Sequence, residues 1–471
     1  MIAAVAVIQV LAVLDAMRWL RVAQREHYIA GSVTRFALRW WRVGIGLPLR
    51  GRTSKLVWTR RLRVLALLAL FIHVGVFLAF AAVLPPVLAS LASVLLVPGT
   101  VDAGLLVAAP MEERALRPFI EQATKKLRTL APTIVGITGS YGKTSTKVVL
   151  AHIVEGTKTV AASPASFNNR AGLARAVNET LSPGTDVFVA EMGTYGPGEI
   201  AELCAWCPPS ISIITAIGPV HLERFGSEDV TLVAKSEILD TATTVVLNED
   251  DERLAKLADT LIAAGKKRIM RASATRIDAD VAVVSDDAGG RVYENGKLLG
   301  RVSRLPTAPT NVACAVAAAR ALGVPGADIV ARLESAPVAS HRLETATAAS
   351  GAVVLDDTFN SNPAGARRAL DALATAGSPG GRKVLMTPGM IELGPRQFDE
   401  NEKFAADAAK VASIVGVIGR TNRKALLKGL DGTSADVKTF RTREKAAAWV
   451  RANLTAGDAV LYENDLPDLY K

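Results

Sequence analysis

Gly139, Ser140, Tyr141 and Gly142 run directly into Lys143, Thr144 and Ser145, an order of residue types that suits a chain of phosphates. Glycines let the backbone curl until several N–H groups point inward. A helix starting at Lys143 adds the partial positive charge of its N-terminus. Lys143 supplies a mobile cation for the outer phosphates, and Thr144 a hydroxyl for Mg²⁺. Before the turn, Ile134-Val135-Gly136-Ile137 reads as a buried strand ending at Thr138; after it, Val148, Val149, Leu150 and Ile153 are spaced to pack a helix on a sheet. The general phosphate-loop pattern asks for glycine five positions before Gly142, where Ile137 stands, so the glycines are offset.

Further polar residues fall where strands end. Asp186–Met192 reads as a strand carrying Glu191 at its close, and Ser210–Ala216 as one leading to Gly218-Pro219-Val220-His221. Ligands in parallel α/β sheets sit at the carboxyl ends of strands. Thr144 and Glu191 offer the hard oxygens Mg²⁺ prefers. His221 reads either as a borderline metal ligand or as a structural residue. Lys235 lies in the apolar-flanked helix VAKSEIL, where by itself it reads as a solvated lysine. Asn248 and Asn311 carry both donor and acceptor and suit either an adenine edge or a cap.

The elements that must position these residues fall into three parts. Residues 1–63 carry 12 Lys and Arg against 2 Asp and Glu, which accounts for the whole net charge of +10. The remaining body is balanced, which argues against a nucleic-acid partner. Ile2–Val13 is apolar but for Gln9 and runs on to Leu20, a membrane anchor by pattern. Residues 21–63 interleave arginines with Phe36, Trp40, Trp41 and Trp58, as a cytoplasmic, interface-hugging loop does. Val64–Leu84 has only His73 polar and is long enough to cross ~30 Å of hydrocarbon. Pro85-Pro86 breaks it, and Pro98, Gly99 and Asp102 divide the apolar stretches that follow. Three passes, or a hairpin bent at Pro85-Pro86, would return the chain to the cytoplasm. Met111–Thr129 is a charged helical connector.

Strands and helices then alternate, which predicts a mostly parallel sheet. Residues 268–304 look β-rich and irregular, and Asn311–Leu322 reads as an alanine-rich helix closing this part. A second α/β unit begins near Thr345. The expected architecture is an α-helical membrane region (1–110), a parallel-sheet ATP-binding domain (111–335) and a C-terminal Rossmann-like α/β domain (336–471). Cys204, Cys207 and Cys314 fit a reducing compartment; Cys204 and Cys207 form a C-x-x-C with no second pair to complete a zinc site, so they read as structural.

Gly136–Ser145 resembles the ATP-binding loop of the Mur ligases, the ATP-dependent enzymes that add amino acids to peptidoglycan precursors. Their T-G-x-x-G-K-T/S variant matches the glycine offset. The resemblance continues through Ser166-Phe167-Asn168-Asn169, Glu191-Met192-Gly193, Ile217–Gly226, Ala234–Glu237, Asn248, Asn311, Arg342, Asp356–Pro363 and Met390–Gly394, in order, over about residues 112–471. Within the family the D-alanyl-D-alanine-adding (MurF) type is nearest. The resemblance implies ATP and Mg²⁺, with Gly139, Ser140, Gly142, Lys143, Thr144, Ser145, Asn248, Asn311, Arg342 and Asp357 at the nucleotide. It implies Thr144, Glu191, His221 and a CO₂-carbamylated Lys235 at metal. It gives catalytic weight to Lys143, Lys235, His221 and Arg342, and substrate contacts to Asn168, Asn169, Asn360 and Asn362, the last two being equally apt as turn-formers. The partners implied are a cell-wall precursor and an amino acid or dipeptide, at the cytoplasmic side of a bacterial inner membrane.

Three departures stand out. Membrane-like helices occupy the place of the usual UDP-gripping domain, which puts a UDP-linked substrate in doubt and raises a lipid-linked one, leaving both carriers open. Pro309-Thr310-Asn311 and Asn401 stand where the family usually has histidines. The last strand ends in Tyr462-Glu463-Asn464-Asp465 rather than a basic Lys-Gly-Ser turn. A poly-γ-glutamate-type capsule ligase and a P-loop transport ATPase are the competing readings; intramembrane charges are too few for the second.

Overall fold

A computed structural model describes residues 2–26, 28–42, 56–164, 167–219, 222–359 and 361–465. Ser166, His221, Asn360 and the chain from Leu466 lie outside the described residues. Two compact units appear, residues 1–118 and 119–466.

The first unit is helical: α1 (Ile2–Arg25), α2 (Ser32–Arg42), α3 (Arg60–Ala81), α4 (Pro86–Leu95) and the first part of α5 (Val97–Leu130). Residues 2–24 and 60–81, with mean hydropathies of 1.8 and 2.7, are long and apolar enough to cross a membrane; α4 and α5, bent by 62°, make a third candidate if they form one span. Side chains such as Phe71 and Leu67 point outward from α3. The break at Pro85-Pro86 is observed. The chain breaks again between α4 and α5, just ahead of Pro98, but Pro98, Gly99 and Asp102 themselves lie inside α5. Pro98 and Gly99 fall in its first turn, where a proline costs no helix hydrogen bond. Asp102 is buried, and its carboxylate accepts from the backbone N–H groups of Gly31, Val33 and Thr34 at 3.0, 3.3 and 2.7 Å. These donors open α2 and have no partner within that helix, so an acid on α5 caps α2.

The second unit holds two sheets. The first collects β1 (Thr133–Thr138), α6 (Lys143–Val154), β2 (Val160–Ala162), α7 (Arg170–Thr180), β3 (Val187–Glu191), α8 (Glu199–Trp206), β4 (Ile211–Ile214), α9 (Leu222–Phe225), α10 (Glu228–Ser236), β5 (Thr244–Asn248), α11 (Glu252–Ala264), β6 (Arg268–Ser273), β7 (Val281–Asp286), β8 (Gly289–Glu294), β9 (Lys297–Val302), α12 (Pro309–Ala321) and α13 (Gly326–Glu334). Its strand order is β2-β3-β1-β4-β5-β6-β7-β8-β9, parallel as far as β7 and antiparallel beyond. The irregular β-rich stretch is this terminal meander, with a bulge at Val292/Tyr293. β1, β3 and β4 are buried on both faces, hence their unbroken apolar runs. Residues Val312–Ala319 of α12 are wholly buried, and their small side chains let α12 press against α6.

The second sheet collects β10 (Glu344–Thr347), β11 (Val353–Asp357), α14 (Pro363–Thr375), β12 (Lys383–Thr387), α15 (Gln397–Ala408), β13 (Ile414–Ile418), α16 (Arg423–Leu430), β14 (Asp436–Phe440), α17 (Arg443–Asn453) and β15 (Ala459–Glu463). Its order is β10-β11-β15-β12-β13-β14, parallel except for the β10–β11 pair. Sequence periodicity did not single out α7, α8, α11, α13, α16, β10 or β14. Both strands are sheet edges, and their mixed residues, ETAT and DVKTF, carry no apolar run to betray them.

Candidate active site

β1 lies between β3 and β4, so successive connections leave it in opposite directions and a crevice opens at its carboxyl end. There the chain turns through Gly139 at φ 152° and Gly142 at φ 86°. Both glycines are demanded by close neighbours as well as by backbone. A Cβ on Gly139 would stand 2.0 Å from Thr215 Oγ1, and one on Gly142 2.3 Å from Asn311 Oδ1. The Ser140 amide donates to Ala216 O at 2.8 Å, and the Gly218 amide to Ser140 Oγ at 3.0 Å. Thr215, which sequence reasoning passed over inside the expected strand Ser210–Ala216 and which lies just past β4, donates to Tyr141 O and so locks the loop.

Lys143 opens α6 and donates to Gly139 O at 2.6 Å. Burial pulls its pKa down, opposed by nearby Glu191 and aided by Arg342. Thr144 Oγ1 donates to Glu191 Oε2 at 3.0 Å, and Asn168 Nδ2 donates to Glu191 Oε1 at 3.1 Å. Lys147, one turn beyond Lys143, also reaches Glu191 Oε2, at 3.0 Å. It escaped the sequence reading because an interior helix lysine ordinarily faces solvent. Burial alone would raise the Glu191 carboxyl; Lys147 and Lys143 outweigh it and hold the acid below its ordinary range. Lys235 lies in the last turn of α10 and is buried; that burial, with Lys143 nearby, holds its amine far below the usual lysine range. Ser145 is buried in the first turn of α6.

The asparagines divide by role. Asn248 donates to Thr215 O at 2.9 Å and accepts from the Asp250 amide at 3.0 Å, so both amide ends are taken within the chain. Asn311 supports the phosphate turn from below and donates to Thr307 Oγ1 at 3.2 Å. Asn169 and Asn362 are N-caps, accepting from Gly172 N and Gly365 N at 2.9 Å each. Asn401 braces the Met390 turn with hydrogen bonds to Met390 N and O at 2.7 and 2.9 Å.

From the second sheet, Arg342 comes within electrostatic reach of Lys143, Glu191 and Asp357 and lies 4.2 Å over the Phe359 ring. The two sheets meet beside the site: the Leu222 amide donates to Glu392 O at 3.1 Å, and Arg396 lies 3.5 Å from Glu228. So Lys143, Thr144, Glu191, Lys147 and Asn168 form one cluster with Arg342 facing it. The donor set suits Mg²⁺, which takes few protein oxygens and completes its shell with phosphate and water. Among the described residues no three His, Cys, Asp or Glu converge as a preformed cage.

The three cysteines are buried and unbridged. Burial pushes the Cys204 and Cys314 thiols up to about 12, which makes them inert in the manner of structural cysteines.

Residues 137–318 match the family described as Mur ligase middle domain, and residues 341–462 match Mur ligase, glutamate ligase domain. A UDP-N-acetylmuramoyl-tripeptide–D-alanyl-D-alanine ligase of Mycobacterium tuberculosis is 33% identical over 356 residues, covering 70% of this chain and 69% of that protein. The enzyme of the same name from Bacillus subtilis is 27% identical over 356 residues, covering 72% and 74%. The crystal structure of MurF from Acinetobacter baumannii superposes with a TM-score of 0.62 at 26% identity, over 74% of this chain and 77% of that one.

Proposed function

The chain belongs to the Mur ligase family, and from that premise we propose a membrane-anchored, ATP-dependent amide-bond ligase acting on a lipid-linked cell-wall precursor. The amine it adds is an amino acid or dipeptide such as D-alanyl-D-alanine. That family consists of ADP-forming amide ligases. The single observation that carries the reading is the shared cluster of Lys143, Thr144 and Glu191 faced by Arg342.

A carboxylate and an amine do not condense unaided. A carboxylate oxygen of the precursor attacks the γ-phosphorus of ATP, the bond to ADP breaks, and an acyl-phosphate results. The amine nitrogen then attacks the acyl carbon, the C–O bond to phosphate breaks, and the nitrogen gives up its proton. Both steps gather negative charge in one place, so fixed cations lower the barrier most. Lys143 and Arg342 supply that charge at the outer phosphate, Arg342 as a planar fork. The phosphate turn contributes its inward N–H groups. Asn168 and Lys147 fix the rotamer of Glu191. Thr144 and Glu191 would hold Mg²⁺, with His221 and carbamylated Lys235 as further ligands, and the ion supplies charge neutralisation when bound. Carbamylation needs an uncharged amine, which the burial of Lys235 favours.

Membrane attachment rests on the apolar helices α1 and α3 and on the arginine-rich stretch between them, which by charge bias also supports a cytoplasmic catalytic unit. The apolar helices α1 and α3 are what supports a lipid-linked acceptor. The test is to incubate the purified protein with ATP, Mg²⁺, UDP-linked or lipid-linked muropeptides, and candidate amino acids or dipeptides, and to weigh the products. Sustained ADP release over many turnovers is expected only when acid and amine are both present, and Lys143→Ala is expected to abolish it. ADP release without either would instead favour a transport ATPase, and a γ-glutamyl polymer would favour a capsule ligase.

A further inference from the structure

At the carboxyl ends of β11 and β15, Asp357 and Glu463 are register partners in neighbouring parallel strands. Both are buried, Glu463 completely. Ser361 donates to one oxygen of Glu463. The other oxygen, Oε2, has no conventional donor among the described residues. A fully buried carboxylate oxygen without a donor is costly. The Asp357 side chain beside it is the remaining partner, and two carboxyl groups can bond each other only through a proton held by one of them. Asp357 also accepts from the Leu343 amide and faces two cations, Arg342 ahead of β10 and Arg368 on α14. Ionising both acids would set two like charges side by side in a buried place.

We infer that Glu463 is a positioning residue of the phosphoryl-transfer site: it stays the uncharged acid and donates its proton to Asp357, leaving Asp357 one negative charge to divide between Arg342 and Arg368. This rests on the reading of Arg342 as the arginine that meets the outer phosphate. The division matters because a dianionic pair would hold Arg342 back from the nucleotide, and an unsupported Asp357 would lose its orientation. The turn after Glu463 is pinned to serve this register. The Asn464 amide donates to Asp357 O at 3.0 Å, its side chain donates to Gly389 O at 2.7 Å, and the Asp465 amide donates to Thr358 O at 3.0 Å. Around Glu463 the charged groups are Asp357 from β11 and Arg368 from α14, and the Ser361 hydroxyl is its neutral hydrogen-bond partner.

The test compares Glu463→Gln, whose amide can donate the same hydrogen bond, with Glu463→Ala, which cannot, in the full-length protein. Glu463→Gln is expected to keep KM for ATP within about threefold, and Glu463→Ala to raise it about tenfold, the effect of losing one hydrogen bond to a charged group. A second readout needs no turnover. Burial and Asp357 both push the Glu463 pKa upward, so its contribution to stability is complete below the ordinary glutamate pKa and is lost as pH rises toward the folded-state value. The melting temperature of Glu463→Gln should therefore gain on wild type as pH rises from about 5 to 9. Parallel melting curves, or equal KM values for the two variants, would overturn the inference. Retention of full ADP release by Lys143→Ala would instead sink the ATP-site reading and leave the melting comparison standing.

Discussion

Lys147 Nζ lies 3.0 Å from Glu191 Oε2, and the two side chains are 4% and 2% exposed. A cation one helical turn past the phosphate loop thus neutralises the acid at the end of the adjacent strand. Removing one partner of a buried pair leaves a bare charge, which costs about 3–5 kcal/mol. Lys147→Met is expected to lower stability by about that much, read by denaturant titration. The double variant Lys147→Met/Glu191→Gln should recover part of the loss. An undiminished single variant would mean that the pair contributes little.

Lys235→Ala should lose most turnover if the lysine serves as a carbamate. Short carboxylic acids supplied in the assay are then expected to restore part of the rate, and depletion of CO₂ should slow the wild type. Absence of both responses would remove the carbamate from the account.

Arg382 and Asp458 bond at 2.6 Å and hold the Asp458 carboxyl down to about 2. A depressed acid contributes stability above its unfolded pKa of about 3.9 and loses it as pH falls toward the folded value. Wild type should therefore shed about 1–2 kcal/mol between pH 4 and 2 from this pair. Asp458→Asn should flatten that part of the profile, measured by melting temperature against pH.

Cys204→Ser is expected to leave turnover nearly intact, because a buried thiol with its pKa raised to about 12 is neither nucleophile nor ligand. Lost activity in a variant that still melts like wild type would contradict this.

Much of the fold was legible because its signals are local. β1, β3 and β5 announce themselves as apolar runs, and Gly139 through Ser145 as a turn into a helix. α12 shows in its alanines. Asp102 was misread because a charge in an apolar stretch looks like a boundary; its partners, Gly31, Val33 and Thr34, lie about seventy residues away. Asn248 and Asn311 look alike in sequence, yet one ties off a strand end and the other lies under Gly142.

The chain alone determined that a phosphate loop, a strand-end acid and a lysine in an apolar-flanked helix occur in this order, since backbone preferences and hydrophobic period are read over a few residues. Which groups meet was decided by the tertiary structure. Thr144 reaches Glu191 across 47 positions, Thr215 fills the space that obliges Gly139, and Glu463 finds Asp357 across a strand pairing more than a hundred residues long in sequence. Such contacts arise from strand order and close packing, and no local pattern carries them.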